Sequence, residues 1–217
     1  MSAIFALSKS MREVILAHGL WVPGVVMRPL AARLERAGFR CRTFVYGGRS
    51  RPLEAHAERL ARLARTVGPA HFVGHSLGGL VVLETLERDR AIAVGRVVLL
   101  GTSARGNFAG RRLARHAAGR WLLGESEPLW REGRDARWTR AERLGVIAGT
   151  RPIGLGRMLG RLTGPNDGVV TVEETTIDGM SERISLLVGH SQMLVSGRVA
   201  NQISAFLDHG RFVPDSR

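Results

Sequence analysis

The strongest constraint on this chain is a rhythm. Short apolar runs that end in small or polar residues alternate with stretches of helical spacing from Val14 to Asp208. Val14-Ile15-Leu16-Ala17 is a buried run closed by His18-Gly19, and residues 25–37 follow with apolar residues at helical spacing up to Gly38. Cys41 to Tyr46 reads as a strand, and Pro52 opens a helix with Leu53, Ala57, Leu60, Leu63 and Ala64 on one stripe. His71–Gly74 and Arg96–Leu100 read as further strands, separated by a helix over 77–88. Leu144–Ala148 and Ile184–Val188 follow, and a closing helix covers 197–208. Strands that alternate with helices imply βαβ units. The fold class is therefore α/β, a mostly parallel sheet of about six strands with helices on both faces.

Residues 105–142 break the rhythm. They are rich in Arg, Gly and Trp, with weak helical stretches near 109–118 and 136–143. The economical description is one domain over residues 1–217, with 105–142 as a cap-like insert. A chain of 217 residues can bury a core without disulfide staples, and its lone cysteine, Cys41, permits no internal disulfide. Cys41 reads as a buried strand residue. The opening MSAIFALSKSMREV lacks a charged start before its apolar patch and a cleavage site, and no run approaches the length of a membrane span, so a cytoplasmic location is the default expectation.

Net charge is +13, carried almost wholly by arginine, since Lys9 is the only lysine. The simplest reading is an arginine-rich solvated surface. A sharper one is peripheral contact with an anionic membrane surface. Nucleic acid is not the expected partner: the arginines do not interleave with aromatics and no nucleic-acid motif is present.

Chemistry concentrates in Gly74-His75-Ser76-Leu77-Gly78. A strand that enters Gly-x-Ser-x-Gly and leaves as a helix must turn sharply at the serine, and the flanking glycines let the backbones pass. Ser76 is then presented at the carboxyl edge of the sheet, with the Leu77 amide placed to stabilise an oxyanion. A capping serine in a tight turn is the bland alternative. Of seven histidines, His190 leaves the last strand at the sheet edge where such folds gather their site residues, and it is the candidate base. His75 reads as structural, His56 and His209 as solvated, and His71 as the start of a strand, while His116 is uninformative. Asp167, in TGPNDGVV, is the favoured carboxylate partner; Asp178 is the runner-up, and Glu173 and Glu174 are weaker. His18-Gly19 after the first strand is placed to aim the Leu20 amide at the same oxyanion.

With these residues placed, the chain resembles the α/β-hydrolases of the bacterial lipase and esterase kind. The matching segments are His18-Gly19-Leu20, GHSLGG at 74–79, NDGVV at 166–170, and Gly189-His190-Ser191. VVLLGTSARGN also resembles a stretch of those lipases, with Ser103-Ala104 in place of the usual Pro-His. The resemblance spans residues 14–208 and implies an α/β-hydrolase fold of the minimal kind. It also implies a triad of Ser76, Asp167 and His190, oxyanion donors at Leu20 and Leu77, and ester hydrolysis without an organic cofactor. Larger relatives bind calcium through added acidic residues that have no matching pair here, so no metal is expected.

The expected activity is cleavage of a small-molecule or lipid carboxylic ester through an acyl-enzyme. Acyl transfer or thioester cleavage would use the same residues. A catalytically silent fold that serves as a binding protein is the non-enzymatic alternative. Trp21, Phe108, Leu113, Trp121, Leu122 and Leu123 are candidates to line an acyl pocket.

Overall fold

The computed structural model describes residues 11–20, 23–47, 49–132, 136–153 and 162–214. Six parallel strands form one sheet in the order β2-β1-β3-β4-β5-β6. They are β1 (Glu13–Ala17), β2 (Arg40–Phe44), β3 (Ala70–His75), β4 (Val94–Leu100), β5 (Leu144–Gly149) and β6 (Glu182–Leu186). The intervening helices are α1 (Arg28–Arg36), α2 (Leu53–Val67) and α3 (Leu77–Arg88), then α4 (Phe108–Ala114), α5 (Ala117–Leu123) and α6 (Glu127–Glu132), and finally α7 (Gly197–His209).

Side-chain alternation in the strands divides the core into two layers. Ile15, Phe72, Val97, Leu99 and Val146 face one layer with α2 and α3; Val14, Leu16, Val73, Val98 and Ile147 face the other with α1 and α7. Both faces of the central strands are dry, so these strands read as unbroken apolar runs. Each fully buried Leu, Ile or Phe side chain contributes about 1.5–3 kcal/mol of hydrophobic stabilisation. The edge strand β2 alternates between exposed and half-buried residues along Arg40–Thr43.

One irregularity has a side-chain cause. The register of β3 on β4 shifts between Ala70 and Phe72. There the Arg96 N–H donates to the buried His71 ring at Nδ1 (2.9 Å) instead of to a strand carbonyl. The opposite nitrogen, Nε2, donates to the Met11 carbonyl at 3.3 Å.

The chain moves one way from β1 to β2, then crosses back to β3 and continues to β6. The winding therefore reverses between β1 and β3, and their carboxyl ends open the crevice where ligands bind in such sheets. The segments leaving those two ends are His18-Gly19-Leu20 and Ser76-Leu77.

The 105–142 segment differs from expectation. It carries three short helices, α4 to α6. Residues 136–143 form no helix: the Trp138 N–H donates to the Asp178 carbonyl (2.7 Å) and the Trp138 indole to the Glu142 carbonyl (2.6 Å). The bond to Asp178, 40 residues on, and the local one to Glu142 hold the segment extended, and Trp138 joins the α2–α3 core layer. β6 also ends two residues earlier than its apolar letters suggest, because the Val188 N–H turns back to the Leu186 carbonyl.

Candidate active site

Ser76 sits between β3 and α3 with φ 54° and ψ −125°, the one non-glycine residue with positive φ among the described residues. Such a backbone costs about 1–3 kcal/mol and persists only when its surroundings enforce it. Here the Ser76 N–H donates to the Leu100 carbonyl (2.9 Å), and the Ser76 carbonyl accepts from the Gly79 N–H (2.9 Å) and the Thr102 hydroxyl (3.2 Å). The glycines are steric requirements. A Cβ on Gly74 would lie 2.5 Å from the Gly79 Cα, and one on Gly78 would run into the carbonyl oxygens of Ala17 and His18. The turn thus brings the positive end of α3 against the end of β1.

Asp167 and His190 meet across the carboxyl edge. His190 Nδ1 donates to Asp167 Oδ2 at 2.7 Å, and the His190 N–H donates to the Asp167 carbonyl at 2.9 Å. Oδ1 of the same carboxylate accepts from the Val169 N–H (2.9 Å) and the Val170 N–H (2.7 Å). Both groups are buried. The arrangement puts the proton of a neutral His190 on Nδ1 and leaves Nε2 as a base. Gly101 lets β4 approach this pair: a Cβ there would lie 2.9 Å from Asp167 Oδ2 and 3.0 Å from His190 Nδ1.

Ser76 reaches the pair through its neighbours. Its amide is bonded to Leu100, and the next residue, Gly101, abuts the pair. On the other side His75 donates from Nε2 to the His190 carbonyl (3.1 Å), with the two rings 4.7 Å apart. Among the described residues nothing is hydrogen-bonded to Ser76 Oγ, so Asp167 and His190 are in direct contact while the serine hydroxyl stands unengaged. His75 is no rival base. Burial first, and the adjacent His190 second, push its pKa down to about 3, and its Nε2 is committed to a carbonyl.

The segment after β1 completes the crevice. A Cβ on Gly19 would lie 3.1 Å from the Ser76 Cβ. His18 Nδ1 donates to the Gly19 carbonyl at 2.8 Å. Because that peptide is planar and trans, capturing its C=O turns the Leu20 N–H the opposite way. His18 is itself fixed: the Tyr46 N–H donates to Nε2 (3.3 Å), the Tyr46 hydroxyl donates to the His18 carbonyl (2.7 Å), and the rings stack at 4.5 Å. Burial lowers the His18 pKa and favours the neutral ring. Neither the Leu20 N–H nor the Leu77 N–H has a protein acceptor among the described residues.

The remaining candidates separate clearly. Asp178 is ion-paired with Arg105 (2.7 Å) and its side chain is 65% exposed, far from the role of a buried orienting carboxylate. Glu173 also faces Arg105. Glu174 is a brace that sequence reasoning missed. Its carboxylate accepts from the Phe108 N–H (2.6 Å), the Thr171 N–H (2.8 Å) and the Thr171 hydroxyl (3.1 Å), and its carbonyl accepts from Ala104 and Arg105. It fastens the start of α4 to the loop that carries Asp167. Its partners lie up to 70 residues away in the chain, so no local signal marks it.

The expectation of a solvated His56 is corrected: the ring is buried against Tyr46, because residue 56 falls on the apolar stripe of α2 between Leu53 and Leu60. His116 and His209 are exposed. Cys41 is half-buried, and burial together with Glu35 and Glu13 pushes its thiol up to about 12, so it is no thiolate nucleophile. Of the suggested pocket residues, Leu123 is core, Phe108 and Leu113 are half-buried, Trp121 and Leu122 are exposed, and Trp21 lies outside the described residues.

Among the described residues no group of three or more His, Cys, Asp and Glu side chains could hold a metal ion, and no helix is long and apolar enough to cross a membrane.

No curated protein sequence matches this chain significantly. Solved structures do share its fold. A lipase of Bacillus licheniformis in its mature form superimposes with a TM-score of 0.71 at 16% identity, covering 91% of each chain. A metagenomic carboxyl esterase gives 0.70 at 18% identity, over 93% of this chain and 76% of its own. A thermophilic esterase of Thermogutta terrifontis gives 0.63 at 17% identity, over 90% and 89%. The sequence profile of the alpha/beta hydrolase family matches residues 14–167, from β1 through the elbow at Ser76 to the carboxylate that holds His190. The chain belongs to the alpha/beta hydrolase family.

Proposed function

We propose that this protein hydrolyses carboxylic esters through an acyl-enzyme on Ser76, with His190 as base and Asp167 as the group that orients it. The observation that carries this reading is the 2.7 Å bond from His190 Nδ1 to Asp167 Oδ2, which leaves Nε2 free to accept at the same sheet edge as a serine held at positive φ. The names of the fold relatives, a lipase and two esterases, agree with it.

His190 Nε2 takes the Ser76 proton as Oγ attacks the acyl carbon. The negative charge that develops on the carbonyl oxygen is met by the Leu77 N–H at the start of α3 and by the Leu20 N–H. Asp167 stabilises the imidazolium through Oδ2 while remaining ionised. His190 then protonates the leaving alkoxide, and the alcohol departs. Water repeats the sequence on the acyl-enzyme, releasing the acid and restoring the Ser76 hydroxyl. The unengaged hydroxyl is consistent with a hydrogen bond that tightens when substrate fills the crevice.

The test is hydrolysis of p-nitrophenyl esters from acetate to palmitate by the wild-type chain and by Ser76→Ala. The reading expects turnover by the wild type, a pre-steady-state burst of p-nitrophenol with substrate in excess, and no burst in the variant. Equal turnover by the two proteins would exclude Ser76 as nucleophile.

A further inference from the structure

The solvent face of α4 and α5 gathers exposed cations and two exposed apolar side chains with no acidic residue among them. Arg111, Arg112, Arg115, His116, Arg120, Trp121 and Leu122 are all exposed, and the sequence from Gly106 to Gly124 contains no Asp or Glu. Arg12, Arg65, Arg88, Arg105 and Arg140, by contrast, each meet a carboxylate. Arg111, Arg112, Arg115 and Arg120 meet none among the described residues. Trp121 is 67% exposed, with the Arg49 guanidinium 4.4 Å from its ring.

This face is built rather than draped. A Cβ on Gly119 would strike the Leu113 backbone, so α5 packs closely on α4. A Cβ on Gly110 would lie 2.5 Å from the Trp130 ring. Ala114, Leu123 and Trp130 turn inward and join the core layer of α2 and α3. The apolar side chains needed for folding are thus already inside. Trp121 and Leu122 stay exposed on the outside, and burying an aromatic side chain removes about 150–250 Å² from water.

We propose that the exposed face of α4 and α5 docks on an anionic phospholipid bilayer. Arginines that meet no carboxylate among the described residues supply attraction to headgroup phosphates, and Trp121 with Leu122 forms an apolar tip that enters the interface between headgroups and acyl chains. A nucleic-acid backbone would use the arginines but gain nothing from Leu122. The docking does not depend on ester chemistry, so it is measurable with the Ser76→Ala protein as well.

The experiment is flotation of the full chain with phosphatidylcholine vesicles, with and without phosphatidylglycerol, at low and high salt. Binding is expected only to the anionic vesicles and should weaken with salt. Arg111→Gln, Arg112→Gln and Arg115→Gln together should weaken it on the order of a hundredfold, about fivefold per arginine. The blue shift of tryptophan emission on binding should disappear in Trp121→Phe. Circular dichroism and turnover of a water-soluble ester should be unchanged in the triple variant, which separates lost docking from lost fold. Equal binding to neutral vesicles, undiminished binding by the triple variant, or retention on duplex or single-stranded nucleic acid but not on vesicles would overturn the proposal.

Discussion

Replacing Asp167 with asparagine isolates what the carboxylate does for His190. In the wild-type chain Oδ1 accepts from the Val169 and Val170 amides at 2.9 and 2.7 Å, and Oδ2 accepts from His190 Nδ1 at 2.7 Å. An asparagine must keep its oxygen on the two amides. Turning its NH₂ toward them would oppose donors to donors and leave buried groups unpaired, at about 1–3 kcal/mol each. The NH₂ then faces His190 Nδ1, which has to accept. The imidazole proton moves to Nε2, and the nitrogen that should take the Ser76 proton has no lone pair free. Such a reversal of tautomer costs about 10⁴ in turnover in a serine hydrolase, close to 5.5 kcal/mol of barrier at about 1.36 kcal/mol per decade. Steady-state kinetics on p-nitrophenyl acetate would read the loss in kcat, with KM little changed. The urea midpoint would show that the fold survives. A folded variant that retains turnover within tenfold of wild type would refute the reasoning, because His190 would then not depend on Asp167 for its tautomer.

Other consequences follow from the same geometry. Tyr46→Phe keeps the ring stack on His18 but strips the buried His18 carbonyl of its 2.7 Å donor. It should cost about 1–2 kcal/mol in urea unfolding and lower kcat more than it raises KM, since the Leu20 amide loses its support; an unchanged midpoint would contradict this. Gly78→Ala should abolish soluble protein, because the new methyl meets the Ala17 and His18 carbonyls. Gly38→Ala, with φ +91° but open space, should cost only about 1–2 kcal/mol by thermal unfolding. Similar outcomes for the two glycines would show the elbow to be looser than described. His71 and His75 are held by burial at pKa values of about 4 and about 3, so the unfolded chain binds more protons and stability is lost as pH falls below about 6.5. Between about pH 7 and about pH 5 the loss is about 2 kcal/mol per histidine. His71→Gln should flatten that drop in the urea midpoint, and a midpoint independent of pH would contradict the assignment.

Much of this was readable in the sequence, and the exceptions have physical causes. The sheet and α3 follow from local patterns: apolar runs between helical stripes, and glycines at positions 74, 78 and 79 that only a close crossing explains. α3 spans Leu77–Arg88, as its spacing predicts. The pairing of Asp167 with His190 needed chain order and position at the sheet edge rather than periodicity, since the partners are 23 residues apart. Apolar Leu187 and Val188 predict a β6 that sits two residues late, yet Leu187 is 69% exposed beyond the strand end. The run 136–143 has helical letters, but Trp138 is claimed by Asp178, a residue no local window contains. The bracing roles of Glu174 and Tyr46 are hidden from the sequence in the same way, because Phe108 and His18, which they hold, lie 66 and 28 residues away.

The central claim is that one hydroxyl, that of Ser76, carries the acyl group. Treating the wild-type chain with a fluorophosphonate and mapping the adduct by peptide mass spectrometry tests this most directly. The account predicts a single phosphonyl group on the peptide containing Ser76, none in Ser76→Ala, and slowed labelling in Asp167→Asn. An adduct on any other residue, or labelling that persists when Ser76 is alanine, would contradict it.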